Sequence, residues 1–285
     1  MGEQLDLLSG QPLKSSSGPT QESGSVPAQS TLLAQSTLLA PNSLLVPNSL
    51  PVPNSLLIID TETSGLDPSE HQCLEVGSIL FSVPDRAVLA QQSFLLPVSS
   101  NAAEPINRIP ASVTQLPQPW REALGYLTSL IAAADVLVAH NAEFDRQWFG
   151  IDPLPVVQQP WLCTMEDIRW PAERQLRSRP SVRDLALAYD IPVWAAHRAL
   201  TDCTYLAEVF RRCDDLETLL LRGLEPRQLM RALVSYDNRH LAKDAGFRWN
   251  DPVKGAWTRR LSEREASELA FSVVGVEPPS EQLAA

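Results

Sequence analysis

Two acids stand two residues apart as Asp60-Thr61-Glu62, at the end of the apolar run Leu56-Leu57-Ile58-Ile59. In an extended strand such a pair points the same way, with backbones about 6.5–7 Å apart. Both carboxylates converge on one side, where two anions repel and are costly to bury unless a cation neutralises them. Alone, the pair also fits solvated acids at a strand end before Gly65. Two further segments carry similar chemistry. Val136 to Asp145 reads Val-Leu-Val-Ala-His-Asn-Ala-Glu-Phe-Asp, with His140 and Asn141 at the mouth of a buried strand and Asp145 in the first helical turn behind it. Ala196 to Asp202 reads Ala-His-Arg-Ala-Leu-Thr-Asp and opens another helix with His197 and Asp202 five residues apart. Four acids in three segments, each at a strand end or helix start, form a metal-site arrangement.

The elements that must position these groups are of α/β type. Leu56–Asp60 is a short apolar strand, Leu74–Val83 and Ala87–Leu96 are strands joined by a turn at Pro84-Asp85, and Trp120–Ala134 has helical spacing through Leu124, Leu127, Leu130 and Ile131. Val136–Ala139 is a buried strand, Glu143–Phe149 a short helix, and Ser181–Tyr189 and Arg198–Cys213 are amphipathic helices. A three-strand meander followed by alternating helices and strands predicts a mixed sheet with helices packed on it. Farther on, Glu225–Tyr236, Arg239–Ala245 and Glu263–Phe271 read as helices, and Phe247–Trp249 and Trp257–Arg259 as two short strands around the turn Asp251–Gly255.

The three acidic segments resemble the three motifs of the DEDDh, or DnaQ-like, family of 3′-to-5′ exonucleases. Ile59-Asp60-Thr61-Glu62-Thr63 with Gly65-Leu66 is similar to the first, His140-Asn141-Ala142-Glu143-Phe144-Asp145 to the second, and His197 with Asp202 to the third. The likeness runs from about Leu56 to Phe210, and departs from the family between Ala103 and Leu116, where Pro105 and Pro110 stand in place of a Gly-containing turn. It implies an RNase H-like mixed sheet flanked by helices, with two divalent cations held by Asp60, Glu62, Asp145 and Asp202. An all-carboxylate set suits Mg²⁺ or Mn²⁺, and two such ions serve phosphodiester hydrolysis. By the same resemblance His197 takes the proton from the attacking water, a role suited to the histidine side chain. Thr61 and Leu66 contact the terminal nucleotide, and Asn141 and Phe144 shape its pocket. Asn141 also reads as a helix cap, Phe144 as core and His140 as a satisfied strand-end residue.

The chain has 285 residues with 23 Lys plus Arg against 34 Asp plus Glu, a net charge of −11 that at first opposes a nucleic-acid partner. The positive charge is placed: Arg222 to Arg260 holds nine basic residues and four acids, with Phe247-Arg248-Trp249-Asn250 and Lys254-Gly255-Ala256-Trp257-Thr258-Arg259 interleaving aromatics and cations. Arg248, Trp249, Lys254, Trp257 and Arg259 are therefore candidate contacts to a single strand, while Trp249 and Trp257 also fit the core of a small hairpin. Residues 1–55 lack arginine and aromatics and carry a six-residue repeat, QSTLLA, QSTLLA, PNSLLV, PNSLPV, PNSLLI, whose composition predicts a disordered tail. At its start Gln4-Leu5-Asp6-Leu7-Leu8 resembles the peptide by which bacterial replication proteins dock on the sliding clamp. The expected division is a tail over 1–55, an exonuclease domain over 56–214 and a small basic α+β module over 222–275. Four scattered cysteines, no signal peptide and no long apolar run predict a soluble cytoplasmic protein with no membrane partner.

The expected function is a metal-dependent exonuclease acting on single-stranded or frayed 3′ ends of DNA in proofreading or repair, with a DNA polymerase as possible company. RNA trimming, or a non-catalytic replication adaptor on the same fold, are the competing expectations.

Overall fold

The computed structural model describes residues 51–195 and 197–277. Strand β1 (Ser55–Thr63) is followed by β2 (Cys73–Ser82) and β3 (Ala87–Leu95) as an antiparallel meander. Two single-turn helices, α1 (Glu104–Asn107) and α2 (Ala111–Thr114), lead into α3 (Trp120–Ala133). Then come β4 (Val136–Ala139), α4 (Ala142–Arg146) and β5 (Trp161–Cys163), with β4 parallel to β1 and β5 parallel to β4. Helices α5 (Val182–Ala188), α6 (Ala199–Arg211) and α7 (Leu216–Gly223) complete this part. The five strands lie in the order β3-β2-β1-β4-β5, the mixed RNase H-like sheet expected from the sequence.

β1 runs through the middle of this sheet, and both its faces are covered, which is why Leu56 to Ile59 form an unbroken apolar run rather than an alternating one. Leu56 and Ile58 pack against residues of α5, α6 and α7; Leu57 and Ile59 pack on the other face against α3. This parity continues into the acids. Asp60 and Glu62 fall on the α6 side and Thr61 on the other. Helix α6 comes close because β2 carries Gly77 beneath its first turn: a Cβ there would lie 2.4 Å from the backbone of Ala199 and Leu200.

A second, wholly antiparallel sheet follows in the order β7-β8-β6-β9. It is built from β6 (Gln228–Ala232), helix α8 (Arg239–Asp244), β7 (Arg248–Trp249), β8 (Trp257–Leu261), helix α9 (Glu263–Ser267) and β9 (Val273–Gly275). Its core gathers Met230, Ala232, Ala242, Phe247 and Leu261 with the half-buried Trp257 and Phe271.

Three expectations are corrected. The helix expected over Glu225–Tyr236 is strand β6, the central partner of both β8 and β9; a helix there would leave two strands with unpaired backbone groups. The final helix begins at Glu263 as expected, with a Ser262–Glu265 capping box, but stops at Ser267 because the following residues turn back to pair as β9. α4 also ends early, at Arg146, and the chain beyond continues as tight turns, with the Trp148 N–H on the Asp145 carbonyl. Strands β5 and β9 and helix α7 had no sequence-based counterpart. All four cysteines are buried and unpaired, and no helix among the described residues is long and apolar enough to cross a membrane. The first three copies of the tail repeat and Gln4–Leu8 lie outside the described residues, whereas the last copy, Pro53–Ile58, runs into β1.

Candidate active site

At the end of β1 the carboxylates of Asp60 and Glu62 meet that of Asp202 from the first turn of α6. One oxygen from each of the three lies within 4.8 Å of the others. Asp145 approaches from α4, almost fully buried, and its Oδ1 accepts both the Thr61 N–H at 2.9 Å and the Thr61 hydroxyl at 2.8 Å. Strand parity explains the arrangement. The two acids face α6, while Thr61 between them reaches α4 and fixes the fourth.

The electrostatics are those of converging like charges. Burial, then Asp145, Asp202 and the other acids, raise Asp60 far above the carboxylate range. Glu62 is pushed up to about 8, mainly by burial and then by Glu75. Burial takes Asp145 to about 7 against the pull of its Thr61 hydrogen bonds. Asp202 is raised by burial too, opposed by the neighbouring His197 imidazole and by the backbone N–H groups of His197 and Arg198. Like-charged oxygens that would rather keep protons and that converge in this way fit hard divalent cations.

His197 stands just before α6, exposed and with φ +59, in the left-handed region uncommon for a side-chain-bearing residue. Leu66 is 79% exposed on the loop after Gly65, and its carbonyl accepts from Gln147 Nε2. Gly65 admits the His71 ring, which would lie 2.2 Å from any Cβ, so this loop is braced from below. Asn141, φ +67, occupies the N-cap position of α4 with its backbone only, its side chain making no capping bond. Phe144 is half-buried, edge-to-face with Trp148 at 6.1 Å. His140 is bound to Thr164 through Nδ1, and burial lowers it to about 4; it is a neutral structural imidazole.

Three positioning features went unseen in the sequence. Thr61 commits both its donors to Asp145. Glu75, 2% exposed and directly across the ladder from Glu62, receives Arg198 through Nε and Nη2, the Ser93 hydroxyl and the Ala199 N–H, and so ties the start of α6 to β2. Asn107, buried in the proline-bearing segment, donates to the Thr63 carbonyl and ties that segment to the end of β1. A glutamate inside an otherwise apolar strand was the visible signal for Glu75; the other two had none.

Of the expected contacts in the second sheet, Arg248, Trp249 and Lys254 are exposed, Trp257 is half-buried in the core, and the Arg259 guanidinium is held inside by the Ala245 carbonyl. Burial, then Arg169 nearby, lowers Arg259 to about 10.

A mixed sheet presenting clustered carboxylates at the end of its central strand defines a class of metal-assisted hydrolases. The exonuclease family pattern matches residues 57–210, more than half of the chain, and the chain belongs to that family. Residues 228–276 match a second pattern, a domain of unknown function, DUF8626. The chain is 29% identical over 159 residues to DNA polymerase III subunit epsilon of Treponema pallidum, covering 53% of this chain and 72% of that one. It is 25% identical over 164 residues to the PolC-type DNA polymerase III of Thermotoga petrophila, where it covers 55% of this chain and spans only 12% of that much longer protein. Among solved structures it is similar to the nuclease domain of 3′hExo, a DEDDh family member, bound to rAMP (11% identity, TM-score 0.42, 56% of this chain and 91% of that one). It is also similar to the zinc-bound E. coli ExoI–ssDNA complex (16% identity, TM-score 0.47, 67% and 50%).

Proposed function

We propose that this protein is a 3′-to-5′ exonuclease that releases nucleoside monophosphates from DNA ends, in proofreading or repair. The observation that carries the reading is the convergence of Asp60, Glu62 and Asp202, with Asp145 held behind them by Thr61. These four residues would hold two divalent cations, Mg²⁺ or Mn²⁺; when bound, such ions polarise a phosphodiester and acidify a water. The chain's own groups do the rest. His197 accepts the proton of the attacking water on an imidazole nitrogen, Leu66 wedges against the terminal base from its braced loop, and Asn141 and Phe144 border the same pocket. Thr61 acts through Asp145, because its N–H and hydroxyl are already engaged there. The choice of DNA is supported by the names of the relatives, both DNA polymerase III proteins, and on that reading a polymerase is a working partner and Gln4–Leu8 docks on a sliding clamp.

The test is hydrolysis of end-labelled single strands and of paired and mismatched 3′ ends, in DNA and RNA, with Mg²⁺ or Mn²⁺. Stepwise shortening from the 3′ end with release of monophosphates is expected, faster on DNA, and the Asp60→Ala, Glu62→Ala double variant should be inactive. Undiminished release by that variant removes the proposed site, and faster turnover of RNA moves the substrate to RNA.

A further inference from the structure

The second sheet separates its aromatic and basic residues into two populations. Trp257, half-buried among Met230, Ala232 and Phe247, belongs to the core, and Arg259 is drawn inside with it. Trp249 is different. It is 51% exposed on the two-residue edge strand β7, and its ring lies 5.6 Å from Trp257, tilted by 50°. Trp257 therefore serves as a floor that fixes Trp249 while leaving its other face open. Alternation along β7 puts Arg248 on the opposite side of the sheet, so ring and cation straddle a free strand edge.

The turn beyond is ordered. The Asn250 N–H donates to the Ala256 carbonyl at 2.9 Å, and Asn250 Oδ1 accepts from the Gly255 N–H at 2.6 Å, which displays the exposed Lys254 at a fixed place. Among the described residues Arg248 pairs with Asp251, at 2.7 Å, and both partners are about half exposed. Such a pair contributes little and exchanges readily for a phosphate. A second aromatic–cation unit stands at the start of α8: Tyr236, 77% exposed, carries the Arg239 guanidinium 3.9 Å from its ring centroid.

We propose that Trp249, Arg248 and Lys254, with the Tyr236–Arg239 pair, form a binding surface for single-stranded nucleic acid, bases stacking on the rings and phosphates meeting the cations. Flat exposed rings offer every base the same platform, and neighbouring cations follow the backbone, so this surface holds a strand without reading its sequence. Charge complementarity favours that occupant over a protein: on a chain of net charge −11, this is where basic residues outnumber acids nine to four, between Arg222 and Arg260. The inference deepens the exonuclease reading by giving the strand a second holding place. Its test is blind to hydrolysis and can succeed or fail independently.

The experiment is fluorescence anisotropy of a labelled oligothymidylate with the full chain in chelator, over a range of salt. Trp249→Ala should weaken binding about tenfold or more, while Trp249→Phe, which keeps a ring, retains most of the affinity. Arg248→Glu with Lys254→Glu should weaken binding further and flatten the log–log salt slope by about 1.4, the loss expected for two phosphate contacts to a single strand. Unchanged affinity in the alanine and charge-reversal variants overturns the proposal and leaves the surface to a protein partner. Equal loss in Trp249→Phe and Trp249→Ala, with folding intact by circular dichroism, overturns the stacking role.

Discussion

Two groups of charges sit in the interior of this molecule, and they are held together in opposite ways. At the end of β1, Asp60, Glu62, Asp145 and Asp202 share one sign, and their carboxylates are driven toward protonation. Where the second sheet meets the first part of the chain, the signs alternate. Glu265 receives Arg169 at 2.8 Å and Arg227 at 3.2 Å, and Arg227 also faces Asp167. Although burial would raise Glu265, Arg169, the Ser262 N–H and Arg227 together hold it below the ordinary range. The second group assembles itself, whereas the first is imposed by the scaffold against its own repulsion. A site kept in an unfavourable arrangement by the rest of the fold has a use outside the fold, and under the proposed function that use is binding cations.

The largest effect is expected when the self-neutralised group is given the same defect. Glu265→Ala leaves two guanidinium groups facing each other, one with its side chain 4% exposed, and also removes the N3 acceptor of the α9 capping box. A loss of about 3–5 kcal/mol in denaturant unfolding is expected, with Glu265→Gln milder because it can keep the cap. If Glu265→Ala unfolds like wild type, the alternating cluster does not secure the second sheet.

A smaller effect is expected where the scaffold imposes the acidic group. Gly77→Ala inserts a methyl 2.4 Å from the backbone of Ala199 and Leu200, pushing the start of α6, and Asp202 with it, away from Asp60. Overpacking of this kind costs about 1–3 kcal/mol. Exonuclease turnover should fall about 10- to 100-fold, because displacement of a reacting group by an ångström is enough. Turnover unchanged in a destabilised variant would show that α6 does not set the site.

Much of this was legible in the sequence because it is local. The apolar run ending in Asp60-Thr61-Glu62, and the short distances from His140 to Asp145 and from His197 to Asp202, placed the four acids on the correct elements. What escaped was set by partners far along the chain. The donors of Thr61 find Asp145 84 residues away, and Glu75 finds Arg198 at a separation of 123. The segment of β6 reads as a helix because Leu229, Met230 and Leu233 are spaced as a helix requires; pairing with β8 and β9 decides otherwise.

The smallest expected effect separates the two groups by pH. A carboxylate whose folded pKa lies above its unfolded value leaves the folded state holding more protons between those values, so stability falls as pH rises through that window. For Glu62 the window runs from about 4.5 to about 8, and for Asp145 from about 3.8 to about 7. Glu265, shifted down, contributes in the opposite sense at lower pH, its stabilisation being lost only as pH falls through its depressed value. In chelator, then, the melting temperature should decline between pH 5 and 8, and Mn²⁺ should restore it more at pH 8 than at pH 5. Because Asp60, Glu62 and Asp202 keep some solvent contact, a difference of about 1–2 kcal/mol, or roughly 3–6 °C, is expected rather than the full repulsion. Asp60→Asn removes one of the like charges and should flatten both the pH decline and the response to Mn²⁺, while Glu265→Gln should leave both unchanged. Equal pH slopes in Asp60→Asn and wild type would mean that the acids at β1 are already relaxed by solvent, and the contrast between the two groups would collapse.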